Sequence, residues 1–284
     1  MRFLGALVCW LAATVALAVA VPAVWAQYHV VDEDGYTRLA ERAAQDPNLQ
    51  AAMAAELTAR ATALIAERSG GTASVDSSRI RFVANVFTSG PAFPPLFAQV
   101  NRAAHRWLFS APQAGGDQLV IDVAPMLKDS SLQETLNGYH VTVPETLTVP
   151  LTVTDVQPLR QGELHRWGVW GPRLSHGAAA VCAVSGLLTL LLARRRGKAL
   201  TGLGISALLA GAAGWAGLEM ATRYLNVALN RTTGDIRRVA DVLVGHAESS
   251  LHLWFNLTLG AGVGLVLLGV LVAATVGLAG RRTS

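Results

Sequence analysis

Two kinds of stretch alternate along this chain. Some runs are apolar and almost free of charge, and between them lie polar blocks whose apolar residues return at helical or alternating spacing. Residues 3–21, 177–193, 200–218 and 253–278 are of the first kind. A bilayer-spanning helix needs about 20 predominantly apolar residues, so the pattern predicts a four-span membrane bundle. The first run follows Met1-Arg2 and leads into Pro22 and Val24-Trp25-Ala26. It could be a signal peptide cut after Ala26, or a retained span with Trp25 and Tyr28 in the interfacial belt. Its length favours the retained span.

The block at 27–173 contains no spanning run, and its pattern changes part-way. Asp34-Gly35 opens a short helix to about Gln45, and Asp46-Pro47 starts a second, since Asp caps well and Pro suits the first helical position. Leu49, Met53, Leu57, Ala61, Leu64 and Ile65 then give one apolar stripe. A third helix near 78–88 carries Ile80, Phe82, Val83, Val86 and Phe87. A fourth near 95–109 carries Leu96, Val100, Ala104, Trp107 and Leu108. Residues 118–123 are a short β-rich run, residues 139–143 and 147–154 alternate polar and β-branched positions, and all three predict strands. Ser131 and Glu134 make a capping-box pair for a small helix between them. The expected fold class is therefore an α-helical transmembrane bundle of four spans with an α+β extracytoplasmic domain.

The expected organisation is a first span at 1–26, the α+β domain with a juxtamembrane linker at 27–173, a transmembrane hairpin at 174–219, an extracytoplasmic amphipathic segment at 220–252, and a last span with a short tail at 253–284. In the linker, Trp167, Trp170, Arg160, Arg166 and Arg173 suit the headgroup zone. In the amphipathic segment, Ile236, Val239, Val242 and Leu243 form a face that needs a cover. Short loops rich in Lys and Arg stay in the cytoplasm. Arg194, Arg195, Arg196 and Lys198 thus set the hairpin's orientation, and Arg2, Arg281 and Arg282 agree with it. Both termini are then cytoplasmic and the polar block is exported.

Composition sharpens this picture. The 284 residues are 52% hydrophobic and only 15% charged, with a mean hydropathy of +0.38, against about 25% charged in soluble domains. The net charge of +4 does not imply nucleic acid, because the cations are scattered or sit at span ends rather than on one face. Cys9 and Cys182 both fall in apolar runs and are expected to be free thiols.

Candidate chemistry is sparse. Asp32-Glu33-Asp34-Gly35 lacks the distal ligands of a calcium loop and reads as an acidic helix start. His246 and His252, with Glu248 between them, are six apart, not at the i, i+4 spacing of a zinc helix's two histidines. No metal and no cofactor is expected. Asn101 and His105 are one turn apart, with Arg102 beside them, and Asp122 lies in an apolar strand where a charge wants a partner. These four form a possible ligand-binding or structural cluster, with Asp122 expected to pair with Arg102 or His105. Small residues let membrane helices approach closely, which marks Gly211, Gly214, Gly260 and Gly264 for helix packing.

Asp46-Pro47, the run Asn101-Arg102-Ala103-Ala104-His105 and Ile121-Asp122-Val123-Ala124-Pro125 together resemble a group of uncharacterised multi-pass membrane proteins of actinobacteria. That resemblance implies a cell-envelope location and supplies no catalytic residues. The expectation is a non-enzymatic plasma-membrane protein of the envelope, with the membrane and an envelope or membrane protein as partners. The alternatives are an accessory subunit of a transport or lipid-export assembly, and an envelope hydrolase or transferase using Asp122, Arg102 and His105.

Overall fold

The computed structural model describes residues 2–68, 76–111, 120–122, 124–128, 130–138, 145, 148–150, 161–193, 195–229 and 235–281. It separates into two compact units, each considered by itself. One comprises Met1–Tyr28, Val169–Arg223 and Glu248–Ser284, and the other His29–Gly168 and Tyr224–Ala247.

The second unit is helical. Helix α1, Arg2–Ala26, continues through a π-helical turn, Gln27–Val31, into this unit. Helix α2, Glu33–Ala43, starts at Asp32, whose carboxylate accepts the Gly35 N–H at 2.7 Å. Helix α3, Pro47–Arg68, starts after Asp46, which accepts the Asn48 N–H at 2.8 Å. Each Asp satisfies a backbone donor that the first helical turn leaves unpaired. Helices α4, Ser77–Thr88, and α5, Phe93–Phe109, complete the main packing, α3 against α4 and α2 against α5. The α3 stripe of Leu49, Met53, Leu57, Ala61, Leu64 and Ile65 forms the core with Ile80, Phe87, Phe93 and Phe97. Phe93 meets Phe87 edge-on, with ring centroids 5.8 Å apart, and lies 5.6 Å from Phe97.

The expected α+β class is corrected here to an all-helical one. Among the described residues, extended pairing is confined to β1, Val120–Asp122, and β2, Thr148–Pro150, antiparallel with Ile121 opposite Val149. Two three-residue strands cannot form a layer or bury a face of their own. The core is built by helices, to which the short α6, Ala124–Leu127, adds Met126. Helix α7, Ser130–Gly138, packs near α4. The expected strand at 139–143 lies outside the described residues.

Three further helices follow: α8, His165–Leu192, α9, Arg196–Leu229, and α10, Asp235–Arg281. The sequence suggests an amphipathic segment followed by a separate last span, but α10 is one unbroken helix of 47 residues. At 1.5 Å per residue it is about 70 Å long, more than twice a bilayer's apolar thickness. Its first turns belong to the helical unit, where Val239, Val242 and Leu243 pack on the core.

Among the described residues, four helical segments are long and apolar enough to cross a membrane: Leu4–Val31, His165–Leu192, Arg196–Val227 and Ile236–Thr275. Leu4, Leu191 and Leu271 stand 67%, 70% and 63% exposed on them. Apolar surface on that scale is the character of a multi-pass membrane protein, since water-facing monomers do not leave it uncovered.

In the span-bearing unit, α9 and α10 run antiparallel along a seam of glycines. A Cβ on Gly204 would stand 2.7 Å from the Gly262 carbonyl oxygen, and one on Gly262 would stand 2.9 Å from that of Gly204. Gly197 and Gly269 face each other in the same way, and a Cβ added to either would stand 2.7 Å from the other's carbonyl oxygen. Further along, a Cβ on Gly211 would stand 2.7 Å from the Leu259 side chain, and Gly214 lies under the Phe255 ring. Gly197, Gly204 and Gly211 are seven apart, as are Gly262 and Gly269, and seven residues make two helical turns, so each set shares one face. Gly260 and Gly264 are on another face, with nothing within 4 Å of where a Cβ would stand. Helix α1 joins this bundle through Trp10, whose indole N–H donates to the Gly202 carbonyl at 2.8 Å, and through the Thr14–Ser206 hydroxyl pair at 2.7 Å. Cys9 and Cys182 are both free.

Candidate functional site

The polar residues singled out on α5 meet α2 and the π-helical turn. Helical geometry puts Asn101, Arg102, His105 and Arg106 on one side, one turn apart in two rows. His105 is 5% exposed, and its Nε2 lies 2.9 Å from the Val30 carbonyl oxygen. A carbonyl only accepts, so Nε2 carries the hydrogen and donates. Val30 lies in the last turn of a helical run that ends at Val31, where the final carbonyls lack intrahelical donors, and His105 supplies one. Its ring stacks on Phe109 at 4.2 Å and lies 5.1 Å from Tyr36. The Tyr36 hydroxyl donates to Asn101 Oδ1 at 3.3 Å, while the Asn101 amide donates to the Phe97 carbonyl at 2.9 Å. Burial pushes the Tyr36 phenol up from its ordinary value.

The acidic start of α2 provides the counter-charges. Arg102 Nη2 is 2.8 Å from Asp34, and Arg106 Nη2 is 2.7 Å from Glu33. Arg102 Nε also donates to the Thr37 hydroxyl at 3.3 Å. Asp122 has its backbone in β1, and its side chain lies outside the described residues. The expected pairing of Asp122 therefore falls outside them too, and the carboxylates seen beside Arg102 are Asp34 and Glu33.

Hydrogen bonding from Arg106 holds the Glu33 carboxyl below its ordinary value of 4.5, with the charges of Arg106 and Arg102 adding and burial opposing. A depressed acid stabilises the fold above the unfolded value and loses that contribution as pH falls through the folded one. Melting temperature should thus decline below pH 4.5 in part through Glu33. Arg106→Gln should lower it modestly at neutral pH, these side chains being partly exposed, and flatten the acid limb. An unchanged acid limb in that variant would count against the assignment.

The C-terminal end of α5 is held as well. Gly162 N–H donates to the Trp107 carbonyl at 3.2 Å, Leu164 N–H to Leu108 at 3.1 Å, and His165 Nδ1 to Phe109 at 3.1 Å. These bonds satisfy three of the carbonyls that a helix end exposes. Gly162 has φ 75°, a left-handed conformation that glycine adopts without cost. α5 thus ties together the turn that continues α1 and the segment that opens α8.

The remaining candidates disperse. His246 Nε2 approaches Asp46 at 3.4 Å in the helical unit. In the other unit, Glu248 accepts the Thr222 hydroxyl at 2.7 Å, and the His252 ring lies 3.9 Å from that of Trp215. Trp170 lies under the Arg173 guanidinium at 5.3 Å. Arg2 opens α1, Arg196 and Lys198 lie in the first turn of α9, Arg195 precedes it, and Arg281 closes α10. Arg194 and Arg282 lie outside the described residues.

Sequence reasoning missed the salt-bridged role of Glu33 and Arg106, although an acid pair opening one helix and an Arg pair four apart on another were visible signals. Gly262 and Gly269 were missed as well, because which face of α10 meets α9 is set by the packing of the two helices and not by any local signal. Comparison with protein-family models, with curated proteins and with solved structures finds no match.

Proposed function

We propose that this chain is a non-enzymatic plasma-membrane protein of the cell envelope. Its four spans hold the helical unit on the extracytoplasmic side, where that unit engages an envelope or membrane-protein partner. The observation that carries this reading is on α4. Ile80 and Phe87 enter the core, whereas Phe82 and Val86, one turn apart, stand 68% and 51% exposed. An apolar pair turned to solvent on a helix that already has its own core face suits contact with another surface. Sidedness follows from Arg2, the Arg194–Lys198 cluster and Arg281-Arg282, all expected in the cytoplasm from the preference of Lys and Arg for that side. The engagement of His105 Nε2–H with the Val30 carbonyl supports a structural use of that histidine over a catalytic one.

Thiol labelling tests the topology in a variant with Cys9 and Cys182 replaced by serine. A cysteine at Gln99 should react with a membrane-impermeant reagent in intact cells, and one at Ser284 only after permeabilisation. The reverse pattern would overturn the reading. Photocrosslinking from position 82 or 86 should yield a discrete adduct, and failure at both would remove the proposed contact face.

A second reading, as an accessory subunit of a transport or lipid-export assembly, is favoured by Gly260 and Gly264. Both are outward-facing on α10 with open space where a Cβ would be, a face that another membrane helix can approach closely. Crosslinks from these positions to a separate membrane protein would support it over a simple anchor.

A further inference from the structure

We propose that the groove between α9 and α10 beside the cationic turn binds one anionic glycerophospholipid, with its phosphate at Lys198 and an acyl chain along the groove. The groove is open to one side, with a volume of about 550 Å³. Lys198, Thr201, Gly202 and Ile205 line it from α9, and Val270 and Ala274 line it from α10. The α9 residues fall at i, i+3, i+4 and i+7, so they form one continuous helical stripe. That stripe has a cation at its first position and an aliphatic side chain at its last. Ala274 presents only a methyl group to the groove, the Trp10 indole lies against Gly202, and the Gly197–Gly269 and Gly204–Gly262 contacts hold the two backbones close alongside.

Charge selects the occupant. Arg195, Arg196 and Lys198 are exposed, and no acid pairs with any of them among the described residues. Arg196 and Lys198 also lie in the first turn of α9, where the helix end is itself positive and disfavours added cations. An anion there offsets all of this positive charge at once. Free phosphate would leave the apolar length of the groove uncovered, and a zwitterionic lipid would bring a second cation toward Lys198. An anionic lipid satisfies both ends. The site lies wholly within the span-bearing unit and does not depend on what the helical unit binds.

Native mass spectrometry of the full-length protein, equilibrated with equal amounts of phosphatidylglycerol and phosphatidylcholine, tests the proposal. The wild type should retain one phosphatidylglycerol preferentially, and excess inorganic phosphate should not displace it. Lys198→Ala should lower the phosphatidylglycerol-to-phosphatidylcholine ratio about five-fold, the effect of removing one interfacial cation. Ala274→Phe keeps every charge and fills the groove, and should lose the adduct. Val270→Phe serves the same purpose should Ala274→Phe misfold. Arg223→Ala, near the opposite end of α9, should behave as wild type. Displacement by phosphate, no preference in the wild type, an unchanged ratio in Lys198→Ala, or full retention in a folded groove-filled variant would each overturn the proposal.

Discussion

Gly262→Leu is expected to break the pairing of α9 with α10, while Gly260→Leu and Gly264→Leu leave it intact. At Gly262 a Cβ would stand 2.9 Å from the Gly204 carbonyl oxygen and 3.0 Å from the Leu208 backbone nitrogen. Backbone atoms of a packed helix cannot swing aside as a side-chain end can, so the two helices must part. Overpacking of this kind costs about 1–3 kcal/mol and occasionally more, and parting the helices forfeits contacts along the whole seam. Gly204→Leu should behave like Gly262→Leu, because the same contact is met from the other side. At Gly260 and Gly264 nothing lies within 4 Å of the added atom, and substitutions that meet no neighbour usually stay within about 0.5 kcal/mol. Thermal unfolding of the detergent-solubilised protein reads the difference. Equal losses at positions 260 and 262 would refute the seam.

In the helical unit, Phe93→Ala should have the largest effect of any single truncation. Phe93 is fully buried between Phe87 and Phe97, in a core to which α2, α3, α4, α5 and α6 all contribute. Removing a buried phenyl ring costs about 3–5 kcal/mol, through lost transfer energy and the cavity left behind. Hydrogen-exchange protection of amides in α3 and α4 should fall by roughly a hundred-fold or more, since each 1.4 kcal/mol is a factor of ten. Phe82→Ala removes the same ring from the exposed side of α4 and should leave protection nearly unchanged. A comparable loss at position 82 would mean that its side chain is covered.

The helical elements of the polar block were largely legible in the sequence, because their signals are local. The Asp46 cap, the α3 stripe from Leu49 to Ile65 and the helix over α4 each follow from residues within a few turns, whereas α2 starts from an Asp32 cap and not at Asp34. The buried side of α5 was less so. Counting apolar residues favours Leu96, Val100, Ala104, Trp107 and Leu108, whereas Phe93, Phe97, Ala98 and His105 are the ones buried. A histidine inside the core scores as polar until the carbonyl it bonds to is known. The strand expectation failed for a related reason. Alternation of β-branched residues says that an extended segment is locally acceptable, but a sheet needs several long partners, and β1 and β2 offer each other three residues apiece.

What this sequence determines by itself is where the chain is apolar enough to cross a membrane, where helices begin, and where cations gather at span ends. Each of these depends on the composition or the hydrogen-bonding chemistry of a contiguous stretch. Which glycines touch, which carboxylate meets Arg102, and which carbonyl His105 caps were decided by tertiary structure. In each of these cases the partners are more than fifty residues apart in sequence. Only the packing of one helix on another brings them within reach.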